Sequence, residues 1–301
     1  MAADTTRRFF EPKNILYATD FSTAAFAALP YAREFARHYG AKVHVLYVRP
    51  SQGFAFVTPE MVPHAMEVEE SILAEEISRT HSFFAGLPHD VMVDAGDLWT
   101  VCEKWIAALA VDLIVMGTSG RSGASKALLG SVASRILRQA SCPVLTVCPH
   151  CTGNAHSYLQ MKGILYPVDF SPESEAAARF VVSLAREHQS KITLLNVLPQ
   201  KSVGDLADPK LFAAAKTRLL EQLIPHDGGL PGPPSCIVRS GRPAATILKT
   251  AEEEKSDLIV LGVKNVSTSV TVAAHLSRAI AYEVIAKAPC PVLTVRKPVA
   301  R

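Results

Sequence analysis

The sequence predicts an α/β protein of two tandem doubly wound (Rossmann-like) domains, each built on a parallel β-sheet. Three observations lead to this prediction: a length of 301 residues, an internal duplication, and short apolar segments that alternate with longer amphipathic ones. Because domains commonly hold about 100–200 residues, this length suits two of them. We place the first domain at 1–152 and the second at 160–301, with a polar linker containing Pro and Gly where they join.

The duplication is visible in three segments that return in the same order at nearly one offset. These segments are 15–22 returning as 164–171 (offset 149), 112–117 returning as 257–262 (offset 145), and 142–147 returning as 290–295 (offset 148). The first pair is identical at six of eight positions, the second has one change, and the third has none. A shared order and a nearly constant offset indicate a tandem duplication of one domain.

Both halves show the same alternation of elements. In the first half, the predicted strands are 14–19, 42–48, 90–94, 112–116 and 143–148, and the predicted helices lie near 23–39, 65–85, 97–110 and 126–139. In the second half, the predicted strands are 163–168, 191–198, 235–239, 257–261 and 291–296. Strands that are apolar on both faces and separated by helix-length segments indicate a parallel sheet covered on both sides.

The composition excludes several classes of protein. A net charge of +3 is too small for binding nucleic acid or a membrane surface through a basic face, and aromatic residues make up only 7% of the chain. No apolar run reaches the roughly 18 residues that a membrane helix needs, and no secretory signal is recognised. With six scattered cysteines, we expect a soluble cytoplasmic protein whose partners include neither nucleic acid nor membrane.

A segment rich in glycine and hydroxyl residues follows the fourth predicted strand. It contains the spacing G-x2-G-x9-G-[ST] at Gly117, Gly120, Gly130 and Ser131. Glycines let the backbone approach a ligand closely, and backbone N–H groups at a helix start favour phosphate. Ligands of open parallel sheets bind beyond the carboxyl ends of the strands, where this segment lies. It therefore predicts a phosphate site, and the alternative is a surface loop without a ligand.

Two other phosphate motifs do not fit the sequence. The Walker A pattern G-x4-G-K-[ST] fails because Lys126 follows Ser125 rather than glycine, and Ala127 stands where Ser or Thr is needed. The dinucleotide pattern G-x-G-x-x-G should follow the first strand, but residues 18–21 contain no glycine. NAD and P-loop chemistry are therefore not expected.

Asp20 follows the first predicted strand, and the sequence leaves two interpretations of it open. It is either part of a helix cap, which contributes about 1 kcal/mol to stability, or a carboxylate directed at a ligand in the crevice.

These motifs together make the first half resemble a universal stress protein domain, and the duplication extends the resemblance to nearly the whole chain. The resemblance implies a five-stranded sheet of order 3-2-1-4-5 in each half, and ATP binding, with or without Mg²⁺, where the glycine motif is intact. It assigns the adenosine end to Ala18, Thr19, Asp20 and Val48. It assigns the ribose and phosphates to Met116, Gly117, Ser119, Gly120, Gly130, Ser131 and Val132.

The same resemblance bears on assembly. An apolar fifth strand at a sheet edge would leave its backbone N–H and C=O groups unpaired and needs covering. The resemblance implies that the two halves pair their fifth strands as an internal pseudo-dimer, and a homodimer of tandem chains is a further hypothesis.

The second half departs from the glycine motif. Asn265 stands where the second glycine is expected, and Arg278 and Ala279 replace the Gly130–Ser131 pair. A backbone cradle with bulky side chains holds phosphate poorly, so we predict a degenerate second site.

Two other clusters are given structural interpretations. Cys148 and Cys151 have the C-x2-C spacing of redox and metal sites, but they end a strand and enter a linker instead of starting a helix. The acidic stretch within 67–76 is interpreted as a solvated helix face.

No nucleophile, general base or metal ligand is assigned, so any ATP hydrolysis is expected to be slow. The favoured function is a nucleotide-binding regulatory module of a stress response. The alternatives are an interaction protein without nucleotide and a slow ATPase.

Overall fold

The computed structural model describes residues 9–49, 58–118, 129–149, 151, 161–199, 209–222, 230–264 and 272–296. The elements of the first half are β1 (Asn14–Thr19), α1 (Thr23–Phe26), α2 (Leu29–Tyr39), β2 (Lys42–Arg49), a 3₁₀ turn (Pro59–Met61), α3 (Val62–Phe83), β3 (His89–Ala95), α4 (Leu98–Ala108), β4 (Leu113–Gly117), α5 (Ser131–Gln139) and β5 (Val144–Val147). Those of the second half are β6 (Gly163–Pro167), α6 (Pro172–His188), β7 (Lys191–Pro199), α7 (Pro209–Gln222), β8 (Ser235–Gly241), α8 (Pro243–Glu253), β9 (Leu258–Gly262), α9 (Val272–Lys287) and β10 (Val292–Val295).

The strands of both halves join into one sheet. Its order within the described residues is β3-β2-β1-β4-β5-β10-β9-β6-β7-β8. Each half therefore has the order 3-2-1-4-5 with parallel neighbours, which confirms the predicted fold. The second half runs through the sheet in the opposite sense, as a pseudo-twofold copy of the first.

The two halves meet where β5 and β10 pair antiparallel, as the resemblance implied. Leu145 lies opposite Leu293, and both side chains are fully buried. Thr146 donates its hydroxyl to the carbonyl of Val292 at 3.1 Å, and Thr294 donates to the carbonyl of Val144 at 3.2 Å. These bonds satisfy the buried hydroxyls, so the seam between the halves closes without unpaired threonine groups.

Each face of the sheet is covered by a core layer that crosses this seam. One layer combines residues of α2 and α6 with Leu145 and Leu293. The other combines residues of α4, α5, α8 and α9 with Val144 and Val292. Because both layers extend across the seam, burial of apolar surface holds the halves together in addition to the strand pairing.

A buried tyrosine fixes the helix that follows the first strand in each half. Tyr17 donates its hydroxyl to the carbonyl of Ala25 at 2.9 Å, and Tyr166 donates to the carbonyl of Ser174. Burial raises the pKa of both phenols above their usual range, so both remain protonated donors. We call this hydrogen bond the tyrosine clamp.

The clamped helices lie so close to the sheet that the last residue of the fourth strand must be glycine. A Cβ atom on Gly117 would lie 2.6 Å from the carbonyl oxygen of Ala24, and one on Gly262 would clash with that of Glu173. Since backbone atoms cannot yield as a flexible side chain does, both positions exclude a side chain.

Two predicted helices differ from those observed. The segment 23–39 forms two helices, α1 and α2, and Pro30 lies in the first turn of the second, where its missing N–H costs nothing. The helix predicted over 126–139 begins at Ser131, because Gly130 is extended (φ −60°, ψ 153°); residues 126–128 lie outside the described residues.

Leu293→Ala tests the contribution of the seam. Removing a fully buried leucine at the centre of the β5–β10 pairing is expected to lower the free energy of unfolding by about 2–5 kcal/mol. The control is Ile72→Ala, at a side chain that is 53% exposed, with an expected change within about 0.5 kcal/mol. Urea unfolding followed by circular dichroism measures both, and equal changes would contradict the assignment.

Gly262→Ala tests the close approach of helix and strand. The added methyl group meets the backbone of Glu173, so we expect a loss of about 1–3 kcal/mol or more. At Gly232 a Cβ atom meets nothing within 4 Å, and Gly232→Ala should leave stability unchanged or slightly raised. A Gly262→Ala protein as stable as the Gly232→Ala control would show that the helix yields freely.

Candidate functional site

A cleft with a volume of about 350 Å³ opens at the carboxyl ends of β1, β2 and β4 in the first half. In the order 3-2-1-4-5, the chain leaves β1 toward β2 on one side and reaches β4 on the other. Helices on opposite faces diverge at such a switch point and leave a crevice between β1 and β4. The strand order therefore accounts for the presence of the cleft, whatever side chains line it.

Nine of the eleven residues that the resemblance assigns line this cleft. They are Ala18, Thr19, Asp20, Val48, Met116, Gly117, Gly130, Ser131 and Val132. The other two, Ser119 and Gly120, lie outside the described residues. The structure thus brings residues from three strand ends and one helix start to a single cavity.

The start of α5 forms one wall of the cleft. Gly130 is its N-cap and has no side chain with which to cap the helix, while its own N–H donates to the carbonyl of Thr118 at 2.9 Å. The carbonyl of Gly130 accepts from Ser134, the first bond of the helix. The N–H groups of Ser131, Val132 and Ala133 have no acceptor within the helix, and with the helix dipole they make this wall suited to an anion.

Asp20 lies in the cleft and also holds the turn after β1. Its Oδ1 accepts the N–H of Ser22 at 3.0 Å, and the N-cap of α1 is Ser22, whose hydroxyl accepts from Ala25 at 3.1 Å. Between them, Phe21 adopts a left-handed φ of 55°. Asp20 therefore supports the cap without being the cap, and its position on the cleft wall keeps the second interpretation open.

The second half repeats this turn. The carboxylate of Asp169 accepts from the N–H of Ser171 at 3.0 Å, Ser171 caps α6, and Phe170 has a φ of 58°. Because the turn recurs where the glycine motif is missing, its hydrogen bonds serve the fold of both halves. The same applies to Gly117 and Gly262, since the approach of the helix accounts for both.

The start of the last helix is where the halves differ. Ala279, the counterpart of Ser131, lies inside α9, which begins at Val272, about two helical turns earlier. Its N–H group therefore lies in the interior of the helix and not at a free helix N-terminus. The degenerate second site stays a prediction, because Asn265 and the side chain of Arg278 lie outside the described residues.

The sequence did not predict the remaining walls of the cleft. Leu46, Leu98 and Cys102 supply apolar surface, and Gly96 follows β3. Burial raises the pKa of the Cys102 thiol to about 12, so it is neutral at physiological pH. Of these residues, Gly96 could have been found from the sequence, because it follows β3 and so lies at the same edge of the sheet as the predicted residues. The position of Cys102 depends on how α4 packs.

Arg49, at the end of β2, is a polar residue of the cleft that the sequence also left out. Its Nε is buried and has no hydrogen-bond partner among the described residues. A buried N–H without an acceptor is costly, so a ligand with an acceptor atom would gain from binding beside it.

An ion pair joins two walls of the cleft. The carboxylate of Asp97 caps α4 by accepting the N–H of Thr100 at 3.1 Å, and it contacts Arg135 of α5 at 2.5 Å. The backbone bond from Thr100 and the neighbouring guanidinium lower the pKa of Asp97 below its usual value. The start of α4 is thereby tied to the helix that presents its N–H groups to the cleft.

The two cysteines of the C-x2-C spacing pack as ordinary thiols, with Cys148 buried and Cys151 partly buried. Cys148 donates to the carbonyl of Ala286 at 3.5 Å, and Cys151 donates to that of Ala288 at 3.8 Å. Burial raises the pKa of the Cys151 thiol to about 12. A redox or metal role needs a thiolate, so this environment opposes one at Cys151.

Among the described residues, no helix is both long and apolar enough to cross a membrane.

Both halves of the chain are similar to known proteins. The sequence profile of the Universal stress protein family matches residues 11–147 and 161–296. A universal stress protein of Methanocaldococcus jannaschii is 30% identical over 142 residues, which cover 45% of this chain and 81% of that protein. One from Thermus aquaticus is 35% identical over 140 residues, covering 45% of this chain and 98% of that protein.

The fold agreement extends over the tandem arrangement. The crystal structure of a universal stress protein from Archaeoglobus fulgidus superposes with a TM-score of 0.67 at 23% identity, and the match covers 94% of this chain and 98% of that one. With the family profile matching each half in turn, this chain belongs to the universal stress protein family as two tandem copies of its domain.

Proposed function

We propose that the first half, residues 1–152, binds ATP or a related adenine nucleotide and acts as a regulatory module of a stress response. The observation that carries this proposal is the uncapped start of α5, which faces the switch-point cleft with a glycine at its N-cap. The second half, residues 160–301, serves as a structural partner with a degenerate site. A cytoplasmic location and a homodimer of tandem chains are part of the same proposal.

The two ends of the cleft suit the two ends of a nucleotide. Leu46, Val48 and Leu98 supply an apolar wall for a base, and the N–H groups of Ser131 and Val132 supply donors for phosphate. The net charge of the whole chain is only +3, so backbone donors rather than a basic surface would carry the anion. Mg²⁺, where bound, would be held mainly by the phosphates.

Gly130→Arg tests the nucleotide site. The new side chain occupies the space in front of the α5 N–H groups, so ATP affinity is expected to fall at least tenfold. Because Gly130 has a φ of −60°, arginine fits the backbone without strain. Isothermal titration calorimetry of ATP into wild-type and variant protein measures the change.

Gly232→Arg is the matched control, since it introduces the same side chain into open space in the second half. It should bind ATP as the wild type does. Equal ATP affinity of wild type and Gly130→Arg, or binding by neither, would contradict the proposed site. If neither protein binds ATP, a role as an interaction protein without a nucleotide becomes the better-supported function.

The rate of ATP hydrolysis distinguishes a regulatory nucleotide-binding module from an ATPase. Among the described lining residues, the one carboxylate is Asp20, and its Oδ1 already accepts the N–H of Ser22. With no further carboxylate among the described residues that line the cleft, we expect single-turnover hydrolysis with Mg²⁺ on the order of 10⁻³ s⁻¹ or slower. A rate near 1 s⁻¹ that is lost in Gly130→Arg would show that the protein is an ATPase.

A further inference from the structure

The helices α2 and α6 end beside each other on one face of the sheet and bring three ligand-type side chains together. These are His38 from the first half, and Glu187 and His188 from the second. One potential ligand atom from each lies within 4.8 Å of the other two. We propose that this cluster binds one divalent transition-metal ion, with Zn²⁺ as the best match, and thereby links the two halves of the chain.

The donor set fits zinc. Two histidines and one glutamate are a known three-ligand set for Zn²⁺, with water in the fourth position. Zinc–ligand bonds of about 2.0–2.2 Å place tetrahedral ligand atoms about 3.3–3.6 Å apart. His38 Nε2 already lies 2.9 Å from Glu187 Oε1, and the rings of His38 and His188 have centroids 4.8 Å apart. Small side-chain rotations therefore suffice to close the site around an ion.

The carboxylate is held as a metal ligand usually is. The Glu187 side chain is only 5% exposed, and its Oε2 accepts the hydroxyl of Tyr39 at 2.9 Å. This bond fixes one oxygen and leaves Oε1 directed at His38. Such outer hydrogen bonds orient ligands in metal sites and contribute to affinity.

The location also favours a cation. His38 lies in the last turn of α2, and His188 is the last residue of α6. Carbonyl groups at helix C-termini carry partial negative charge, and two helices end here. His38 is partly open to solvent, with 32% of its side chain exposed, so an ion can reach the cluster from water.

The test is calorimetric titration of Zn²⁺ alone into untagged, chelator-treated protein without nucleotide. We expect one ion per chain, with His38→Ala and His188→Ala each weakening affinity at least tenfold. Tyr39→Phe removes the bond to Glu187 Oε2 and should weaken affinity by a smaller factor. Circular dichroism verifies that each variant is folded.

Two control variants distinguish this site from other side chains of the protein that could bind a metal ion. His81→Ala removes a second close histidine pair among the described residues, in which His81 Nδ1 lies 2.9 Å from His89 Nε2, and should leave affinity unchanged. A Cys148→Ser/Cys151→Ser double variant should likewise bind as the wild type does. With Co²⁺ in place of zinc, visible absorption without a strong sulfur-to-cobalt charge-transfer band is expected.

A readout on the wild type keeps the test independent of variants that fail to fold. Zn²⁺ should slow diethyl pyrocarbonate modification of the partly exposed His38 at least fivefold, as followed by peptide mass spectrometry, but not that of the exposed His64. Absence of Zn²⁺ binding, absence of this protection, or loss of binding in the cysteine or His81 variants would overturn the proposal.

Discussion

The antiparallel pairing of β5 with β10 is the contact on which the arrangement of the whole chain depends. It converts two sheet edges into the centre of one sheet, which has ten strands within the described residues, with β3 and β8 at its edges there. It also lets both core layers run through the seam, so that a residue such as Leu293 is buried by both halves. Polar groups at this depth must be paired, and the Thr146 and Thr294 hydroxyls are paired across the strands.

Within each half, the tyrosine clamp and the glycine that ends the fourth strand fix the helix beside the switch point. Since these features recur with offsets of 149 and 145 residues, they belong to the fold of both halves and do not by themselves predict a ligand site in either. The difference lies in the start of the last helix. At Ser131 free N–H groups face the cleft, whereas at Ala279 the same position lies within α9.

The sequence was a good guide to the strands and to one side of the cleft. Parallel strands end at the same edge of a sheet, so a motif directly after a strand can be placed without coordinates, as for Asp20 and Gly117. Residues inside elements could not be placed in this way. Cys102 lines the cleft because of how α4 packs, and the start of α5 depends on the extended conformation of Gly130. Ser119 and Gly120 lie outside the description.

The cluster at the ends of α2 and α6 shows what a tandem chain can do that identical subunits cannot. His38 and Glu187 are counterparts at the offset of 149, as are Tyr39 and His188. In a symmetric dimer, counterparts facing each other across the axis are the same residue, which would place like charges or like donors together. When both halves lie in one chain, the sequence of each half can diverge independently of the other. Here that freedom sets a buried carboxylate from one half against an imidazole and a phenol from the other, a pairing of base, donor and acid that exact symmetry forbids.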